Sequence, residues 1–306
     1  MQRAKSANIC DLGPTGWEAT VSESGTVEVT VSEAAETAEV AIAVTVNYGD
    51  ESSDTATVNV AVTAAEEPEV PEQPELPTGN SFLLSNDWSA SEYGIAFAFG
   101  RDGDQLLVGD WDGDNVDSLG VRRGATVHLK NELAGGNAEI SFTYGRADDE
   151  VIVGDWDDNG IDTLAVRRGD QFLMKNELAG GNADLSFNYG RASDTALAGD
   201  WDGNGKDLIA VRRGDEFLVK NELAGGNADL SFNYGRASDV AFAGDFDADG
   251  IDTFGVHRGD EFLINNALAG GAADLVLTYG EAGDAVLVGD WNGDGVDTPG
   301  VNRIIR

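Results

Sequence analysis

The sequence predicts an all-β protein whose larger part is a five-bladed β-propeller. A Gly-Asp-aromatic phrase recurs every 45 residues, with its aspartates running from Asp110 to Asp290. Each 45-residue unit holds four short strand-like runs separated by turn residues, and no unit shows a helical periodicity. A fixed period with four antiparallel strands per unit is typical of propeller blades, and a β-helix fits it less well.

Residues 1–63 are predicted to form a separate β segment before the repeats. Thr, Val and Ala alternate there with polar residues, which is the period of a half-buried strand. Three strands fit the pattern, at about 26–32, 38–47 and 54–63. The composition resembles the last strands of immunoglobulin-like or cadherin-like modules of bacterial surface proteins, of which three strands would form only a part.

Residues 64–78 are predicted to be a stiff, extended linker. Four of the six prolines of the chain lie in this segment, together with five glutamates. Proline favours extended backbone, and the like charges repel one another, so the segment separates two folded units.

The repeat region, residues 79–306, is predicted to close into a ring. It opens with "NSFLLSN" and "GIAFAFG", which match the third and fourth strands of a unit, and it ends with "DTPGVNRIIR", which matches the second. Pairing of Phe82–Asn86 with Gly300–Arg303 would complete a fifth blade from the two ends. Such pairing removes both open sheet edges, which are otherwise an aggregation hazard.

The composition limits the partners of the protein. A formal net charge of −37 argues against binding to nucleic acid or to anionic lipid, because both need an excess of Lys and Arg. No apolar run is long enough for a membrane span, and the N-terminus has no apolar stretch of the kind a signal peptide carries. We expect a soluble monomer with an affinity for cations.

Each repeat carries an acidic loop, by which we mean the eight residues that begin at Asp110, Asp155, Asp200, Asp245 or Asp290. Loop positions 1, 3 and 5 are always Asp or Asn, position 6 is Gly or once Asn115, and position 8 is always Asp. Alternating oxygen ligands before a residue that tolerates positive φ are typical of a loop that wraps Ca²⁺, with a main-chain carbonyl at position 7. Mg²⁺ fits less well because it retains water, and Zn²⁺ lacks His or Cys ligands.

The sequence therefore predicts up to five Ca²⁺ sites. Their predicted ligands are Asp110, Asp112, Asp114, Val116 and Asp117; Asp155, Asp157, Asn159, Ile161 and Asp162; Asp200, Asp202, Asn204, Lys206 and Asp207; Asp245, Asp247, Asp249, Ile251 and Asp252; and Asp290, Asn292, Asp294, Val296 and Asp297. The alternative is ordinary Asp/Asn/Gly turn chemistry without a metal ion.

The segment "FAFGRDGDQLLVGDWDGDNVDSLGVRRG" resembles an FG-GAP or VCBS-like repeat, the blade motif of integrin α-subunit propellers and of many bacterial surface proteins. Phe99-Gly100, Gly109-Asp110 and the D-x-[DN]-x-[DN]-G loop carry the resemblance, which covers residues 79–306. It implies a calcium-stabilised propeller. The last Asp of that family usually falls at position 9, and here it falls at position 8. These five aspartates are either ligands of a shortened loop, which we favour, or residues that cap the turn.

Two further sets of residues recur in phase. The aromatic residue at loop position 2 is expected to pack between blades, with stacking on sugar rings as the alternative. Arginines after "FG" or "YG" and the "RR" pairs fall on the face opposite the acidic loops, where they either meet an anionic wall polymer or pair with neighbouring aspartates.

Catalysis has little support, because no nucleophile, base and orienting group occur as a set. We expect a non-catalytic, calcium-binding interaction or adhesion module that acts outside the cell or at its surface as part of a larger secreted protein. Its expected partner is a cell-wall or surface glycan, or a protein. A passive calcium-stabilised spacer and a glycan hydrolase with axial carboxylates are the alternatives.

Overall fold

The computed structural model describes residues 4–9, 17–21, 27–31, 38–48, 50–62, 73–89 and 92–306. For parts of the segments before residue 63 it describes the backbone alone. The chain divides into two compact units, Met1–Glu72 and Gln73–Arg306. The described residues contain no helix, and therefore none long and apolar enough to cross a membrane. The boundary lies inside the predicted linker, most of which falls outside the described residues.

The first unit contains five described strands, two more than the sequence predicted. They are β1 (Ala4–Ile9), β2 (Trp17–Val21), β3 (Val27–Val31), β4 (Ala38–Tyr48) and β5 (Ser53–Val62). All pairings are antiparallel: β4 lies between β1 and β5, and β2 pairs with β3. The three predicted strands correspond to β3, β4 and β5.

The second unit contains twenty strands. They are β6 (Gly79–Leu84), β7 (Ile95–Ala98), β8 (Gln105–Gly109), β9 (Ser118–Arg123), β10 (Thr126–Leu129), β11 (Ile140–Thr143), β12 (Glu150–Gly154), β13 (Thr163–Arg168), β14 (Gln171–Met174), β15 (Leu185–Asn188), β16 (Thr195–Gly199), β17 (Leu208–Arg213), β18 (Glu216–Val219), β19 (Leu230–Asn233), β20 (Val240–Gly244), β21 (Thr253–Arg258), β22 (Glu261–Asn265), β23 (Leu275–Thr278), β24 (Ala285–Gly289) and β25 (Thr298–Ile305).

These strands form five four-stranded antiparallel sheets, which confirms the predicted five-bladed propeller. Blade 1 is β8–β11, blade 2 is β12–β15, blade 3 is β16–β19 and blade 4 is β20–β23. The first strand of each blade contacts the first strands of the two neighbouring blades, so these five strands line the centre of the ring. The acidic loop follows the first strand of every blade.

The fifth, closing blade has the order β24-β25-β6-β7, with both ends of the repeat region side by side. Gly79 pairs with Ile305 and Leu84 pairs with Gly300. The predicted closure is therefore confirmed, with one correction: the pairing begins earlier than Phe82 and does not reach Asn86, because the chain leaves the sheet after Leu84.

The apolar core consists of five clusters, each shared by two consecutive blades. In the cluster between blades 2 and 3, Trp156 and Phe172 pack with Ile209 and Val211. The second strands are buried along almost their whole length because a neighbouring blade covers each face. Such strands read as continuous apolar runs in the sequence. The ring is therefore stabilised mainly across its blade-to-blade interfaces.

Candidate functional site: acidic loops and blade-to-blade contacts

The aspartate at position 1 organises each acidic loop through main-chain hydrogen bonds. In the third loop, Asp200 Oδ1 accepts the Gly203 N–H at 2.8 Å, and Oδ2 accepts the Gly205 N–H at 2.6 Å. The other loops repeat the bond from position 6, as Asp290 does with Gly295 at 2.7 Å. A carboxylate has about four lone-pair sites, so these bonds leave capacity for a cation.

Two positions of every acidic loop adopt positive φ. Position 6 does so in all five loops, at Gly160, Gly205, Gly250, Gly295 and Asn115, as the sequence predicted. Position 4 does so as well, which the loop pattern did not predict. Three loops have glycine there, but Asp158 has φ 60° and Ala248 has φ 58°. Side chains in this region are strained, because Cβ approaches the following carbonyl oxygen.

Replacing Ala248 by glycine is expected to raise the free energy of unfolding by about 0.5–1 kcal/mol. Glycine removes the strain at φ 58° without changing any ligand side chain. The matched reverse change is Gly203→Ala at the same loop position, which should lower stability by a similar amount. Urea denaturation of both variants measures the effect, and a destabilised Ala248→Gly variant would contradict the strain argument.

Acidic side chains converge in two of the loops. Ligand atoms of Asp110, Asp112 and Asp114 all lie within 4.8 Å of one another, and the same holds for the three aspartates of the fourth loop, at positions 245, 247 and 249. Burial, followed by the charges of Asp114 and Asp110, raises the pKa of Asp112. Three carboxylates at this separation repel each other, and a bound Ca²⁺ would relieve that repulsion, so the residues fit the predicted ion.

The other three loops each replace one carboxylate by an amide. Asn159 and Asn204 stand at position 5, and Asn292 stands at position 3. The Asn292 Nδ2 atom donates to Asp294 Oδ2 at 2.9 Å. Loops 1 and 4 therefore offer the most negative predicted sites.

The aspartates at position 8 do not join the carboxylate groups of their own loops. Each one binds the preceding blade instead: Asp162 Oδ2 accepts the Asp110 N–H at 2.9 Å, while the Asp162 N–H donates to the Asp110 carbonyl at 2.7 Å. We call this two-bond contact the aspartate clasp. The last clasp closes the ring, because Asp117 Oδ2 accepts the Asp290 N–H at 2.9 Å.

The structure thus places five predicted ligands in a contact between blades, which the sequence did not predict, and their membership of the ligand set stays a prediction. They are Asp117, Asp162, Asp207, Asp252 and Asp297. The glycine that ends each first strand is required by the same contact. A Cβ atom on Gly154 would lie 2.6 Å from Asp207 Oδ2, closer than any real Cβ contact.

The clasp aspartates are partly exposed but surrounded by protein at the centre of the ring. Burial raises the pKa of Asp117 and of Asp252 to about 7, and it raises the pKa of the other three well above the usual range. Neighbouring carboxylates add to this rise, since the charges of Asp117 and Asp110 also raise the pKa of Asp162. The clasps are therefore contacts that a proton can stabilise.

The recurring aromatic and basic residues have structural partners. Trp111, Trp156, Trp201, Trp291 and Phe246 are buried between blades, as expected, and their rings offer no face to a sugar. The second arginine of each pair binds a buried aspartate of its own blade, and Arg213 contacts Asp194 through Nε at 3.0 Å and Nη2 at 2.7 Å. For these arginines, the predicted pairing with neighbouring aspartates is therefore confirmed.

The first arginine of each pair joins its blade to the connection that enters the next one. Arg212 Nη1 donates to the Asp239 carbonyl at 2.5 Å, and Nη2 donates to the Arg236 carbonyl at 2.6 Å. Its guanidinium also lies over the Phe217 ring, 5.2 Å from the centroid. His257 takes this place in blade 4, where it is buried and its Nε2 atom has no partner among the described residues.

Replacing His257 by arginine is expected to raise the free energy of unfolding by about 1–2 kcal/mol. Arginine would reach the main-chain carbonyls of Glu281 and Asp284 and lie over Phe262, where the imidazole now packs edge-on. The matched reverse change, Arg212→His, should cost at least as much. Denaturant unfolding compares the two variants. A His257→Arg variant no more stable than the wild type would show that blade 4 does not offer the arginine the contacts that Arg212 makes in blade 3.

These features define a five-bladed β-propeller with a ring of acidic loops at one end. Residues 8–63, in the first unit, match the family model of the Long Rib domain. The match does not reach residues 79–306, for which the FG-GAP resemblance stays a prediction.

No protein with a curated description matches the chain. Among solved structures, the chain is similar to one chain of "Crystal structure of BBS1N in complex with ARL6DN, soaked with lead". The two are 10% identical with a TM-score of 0.34, over 90% of this chain and 95% of that chain. A TM-score this low does not establish a shared fold.

Proposed function

We propose that the protein is a non-catalytic, calcium-stabilised interaction module of the FG-GAP type that acts outside the cell or at its surface. The observation that carries the proposal is the convergence of three carboxylates in each of two phased loops. A shared position-1 geometry in all five loops supports it. In this proposal, Ca²⁺ holds the acidic end of the ring rigid, and the ring binds a surface glycan or a protein.

The energy available from Ca²⁺ supports a structural role for the metal. At a free Ca²⁺ concentration ten times the dissociation constant, each filled site adds about 1.4 kcal/mol to the free energy of unfolding. Five filled sites would add about 7 kcal/mol, which is comparable to the stability of a whole domain. Weak sites of this kind fill at the millimolar Ca²⁺ found outside cells.

Thermal unfolding of the full chain tests the metal. We expect the melting temperature of the propeller to rise by at least about 5 °C in millimolar Ca²⁺ relative to a chelator, because several sites fill. Equal Mg²⁺ should produce a much smaller rise. Tryptophan fluorescence follows this unit, which contains five of the six tryptophans.

A double variant makes the test specific to one loop. Asp247→Asn with Asp249→Asn removes two charges from the fourth loop and preserves side-chain shape, so part of the Ca²⁺-induced rise should disappear. The control is Asp170→Asn, at an exposed residue at the end of blade 2 away from the acidic loops. Equal melting temperatures in Ca²⁺ and in chelator would rule the metal out and leave the aspartates as turn-forming residues.

Binding separates the interaction module from a passive spacer. Saturable binding of the chain to purified cell-wall or surface glycan, or to a surface protein, is expected of the module. A spacer would bind none of them, and a hydrolase would release sugar products from the glycan.

A further inference from the structure

A cavity of about 280 Å³ opens between blades 1 and 2, with Arg146 and Arg168 at its end away from the acidic loops. Its walls include Tyr144 and Arg146 from blade 1, and Val166, Arg168 and Asn182 from blade 2. The Tyr144 hydroxyl donates to the Leu173 carbonyl at 3.0 Å and so fixes one wall. The volume is at the small end of ligand pockets and suits one sugar-sized group.

The cavity is basic. The exposed side chain of Arg146 makes no ion pair or hydrogen bond within the part of the chain that the structure describes, and Arg168 is tied to Asp149 through Nε and Nη2 only. Two arginines therefore face one carboxylate. Arg168 is held rigidly by its pair and Arg146 is available, which is an arrangement suited to an anionic oxygen group.

An equivalent cavity in the closing blade differs in both size and charge. It measures about 160 Å³ and is lined by Tyr279, Glu281 and Arg303, together with Glu92 and Tyr93. Glu281 stands where Arg146 stands, and Glu92 and Tyr93 stand where Asn182 and Ala183 stand. One arginine, which is paired with Asp284 and Glu281, therefore faces three carboxylates.

The basic residue recurs in the other blade interfaces. Arg101, Arg191 and Arg236 occupy the position of Arg146 at the 45-residue period, and all three are exposed. The aspartate-bound arginine equivalent to Arg168 recurs with them, as in the contacts of Arg213 with Asp194 and of Arg258 with Asp239. Four interfaces thus carry the basic pattern, and one carries the acidic pattern.

The high negative charge of the chain lies mainly elsewhere. In blade 1, Gln105 pairs with Arg122 and Gly109 pairs with Ser118, so the acidic loop and the arginines lie at opposite ends of the strands. A strand of five residues spans about 16 Å, whereas the Debye length at physiological ionic strength is about 8 Å. An anion at Arg146 is therefore largely screened from the acidic loops.

We propose that the four basic interfaces between blades, which we call the basic grooves, bind the anionic sugar units of an acidic polysaccharide, one unit per groove. The ligand group is a carboxylate or phosphate on a sugar or polyol, and repetition around the ring adds avidity for a polymer. This inference rests on the proposed function and specifies its partner and its site.

The test compares full-length variants in polymer binding by calorimetry in about 0.1 M salt. The probes are polygalacturonate, which carries carboxylates, poly(glycerol phosphate), which carries phosphates, and neutral dextran. One variant combines Arg101→Gln, Arg146→Gln, Arg191→Gln and Arg236→Gln. A second variant fills the grooves without changing their charge and so imitates Tyr93 in the smaller cavity of the closing blade. Its substitutions are Ala138→Tyr, Ala183→Tyr, Ala228→Tyr and Ala273→Tyr.

We expect the wild type to bind one or both anionic polymers and not dextran, and both variants to bind at least about tenfold more weakly. Whichever anionic polymer binds identifies the ligand group. Equal binding of dextran, no binding of either polyanion, or unchanged binding by either variant would overturn the grooves as anion sites.

The same samples distinguish the two proposals. The Ca²⁺-induced rise in melting temperature belongs to the acidic loops and should be unaffected in both groove variants. A lost Ca²⁺ response in the wild type would count against the proposed function, whereas a normal response with failed polymer binding would count against the grooves alone.

Discussion

Replacing Asp194 by alanine is expected to lower the free energy of unfolding by about 3 kcal/mol. The Asp194 side chain is 0% exposed, and it accepts two bonds from Arg213 and one from the Arg191 N–H at 2.9 Å. Its removal leaves a guanidinium that is only 31% exposed without its partner and frees the turn that enters blade 3. Urea denaturation followed by tryptophan fluorescence measures the loss.

A matched control is available at the same end of the ring. Asp170 is exposed, and the structure gives its side chain no hydrogen bond or ion pair within the described residues, so Asp170→Ala should change stability by less than about 0.5 kcal/mol. Similar effects at the two positions would show that the burial of Asp194 does not determine its contribution. The pair Asp149 and Arg168 should repeat the result in blade 2, because the contacts are the same.

The second large effect concerns pH and the aspartate clasps. In a chelator, the free energy of unfolding of the wild type is expected to fall as the pH rises from about 4 to about 7, because unfolded aspartates titrate near 4. The pKa of Asp252 is raised to about 7, first by burial and then by the charges of Asp200 and Asp245. The folded state therefore binds more protons than the unfolded state throughout this interval, so the contribution of the clasps to stability is fully present near pH 4 and is lost as the pH rises through about 7.

The variant Asp252→Asn removes this dependence at one clasp. Its amide oxygen can still accept the Asp200 N–H, which now lies 2.7 Å from the carboxylate, but it carries no charge. We expect the variant to be more stable than the wild type at pH 8, nearly equal at pH 5, and less dependent on pH. Denaturant unfolding at the two pH values decides this, and a wild type that gains stability between pH 5 and 8 would contradict the raised pKa values.

Below about pH 4 the free energy of unfolding is expected to fall with falling pH, because carboxylates with lowered pKa values dominate there. Burial alone would raise the pKa of Asp149, but hydrogen bonds from Arg168 and from the Arg146 N–H outweigh it and lower the pKa. The same holds for Asp194 and Asp239. Their contribution is present above the unfolded pKa and is lost as the pH falls through the lowered values.

The local features of the propeller were predictable from the sequence. Strand order, blade number and ring closure followed from the 45-residue period and from its phase at Gly79 and Arg303. The positive φ of Asn115 followed from the glycines at the same loop position. Each of these depends on residues close together in one unit, or on the repetition of that unit.

The contacts between blades were harder to predict. Asp162 binds a main-chain atom 52 residues away, and the sequence offers no partner for such a bond. A fixed Asp at position 8 was the only signal, and a metal ligand explains it equally well. In the first unit, β1 has the sequence AKSANI, whose apolar residues do not alternate regularly, so the pattern did not predict a strand.

The pairing of Gly79 with Ile305 determines how the ring responds to mechanical force. The chain enters and leaves the closing blade at the same end of two antiparallel strands. Tension applied between the two ends therefore acts on the Gly79–Ile305 pair first and peels β6 from β25 one pair of hydrogen bonds at a time. Tension that enters at Gly79 and leaves through a ligand bound elsewhere on the ring is shared by β25 and β7, the two neighbours of β6. The same ring would be mechanically weak if pulled from both ends and far more resistant if anchored at one.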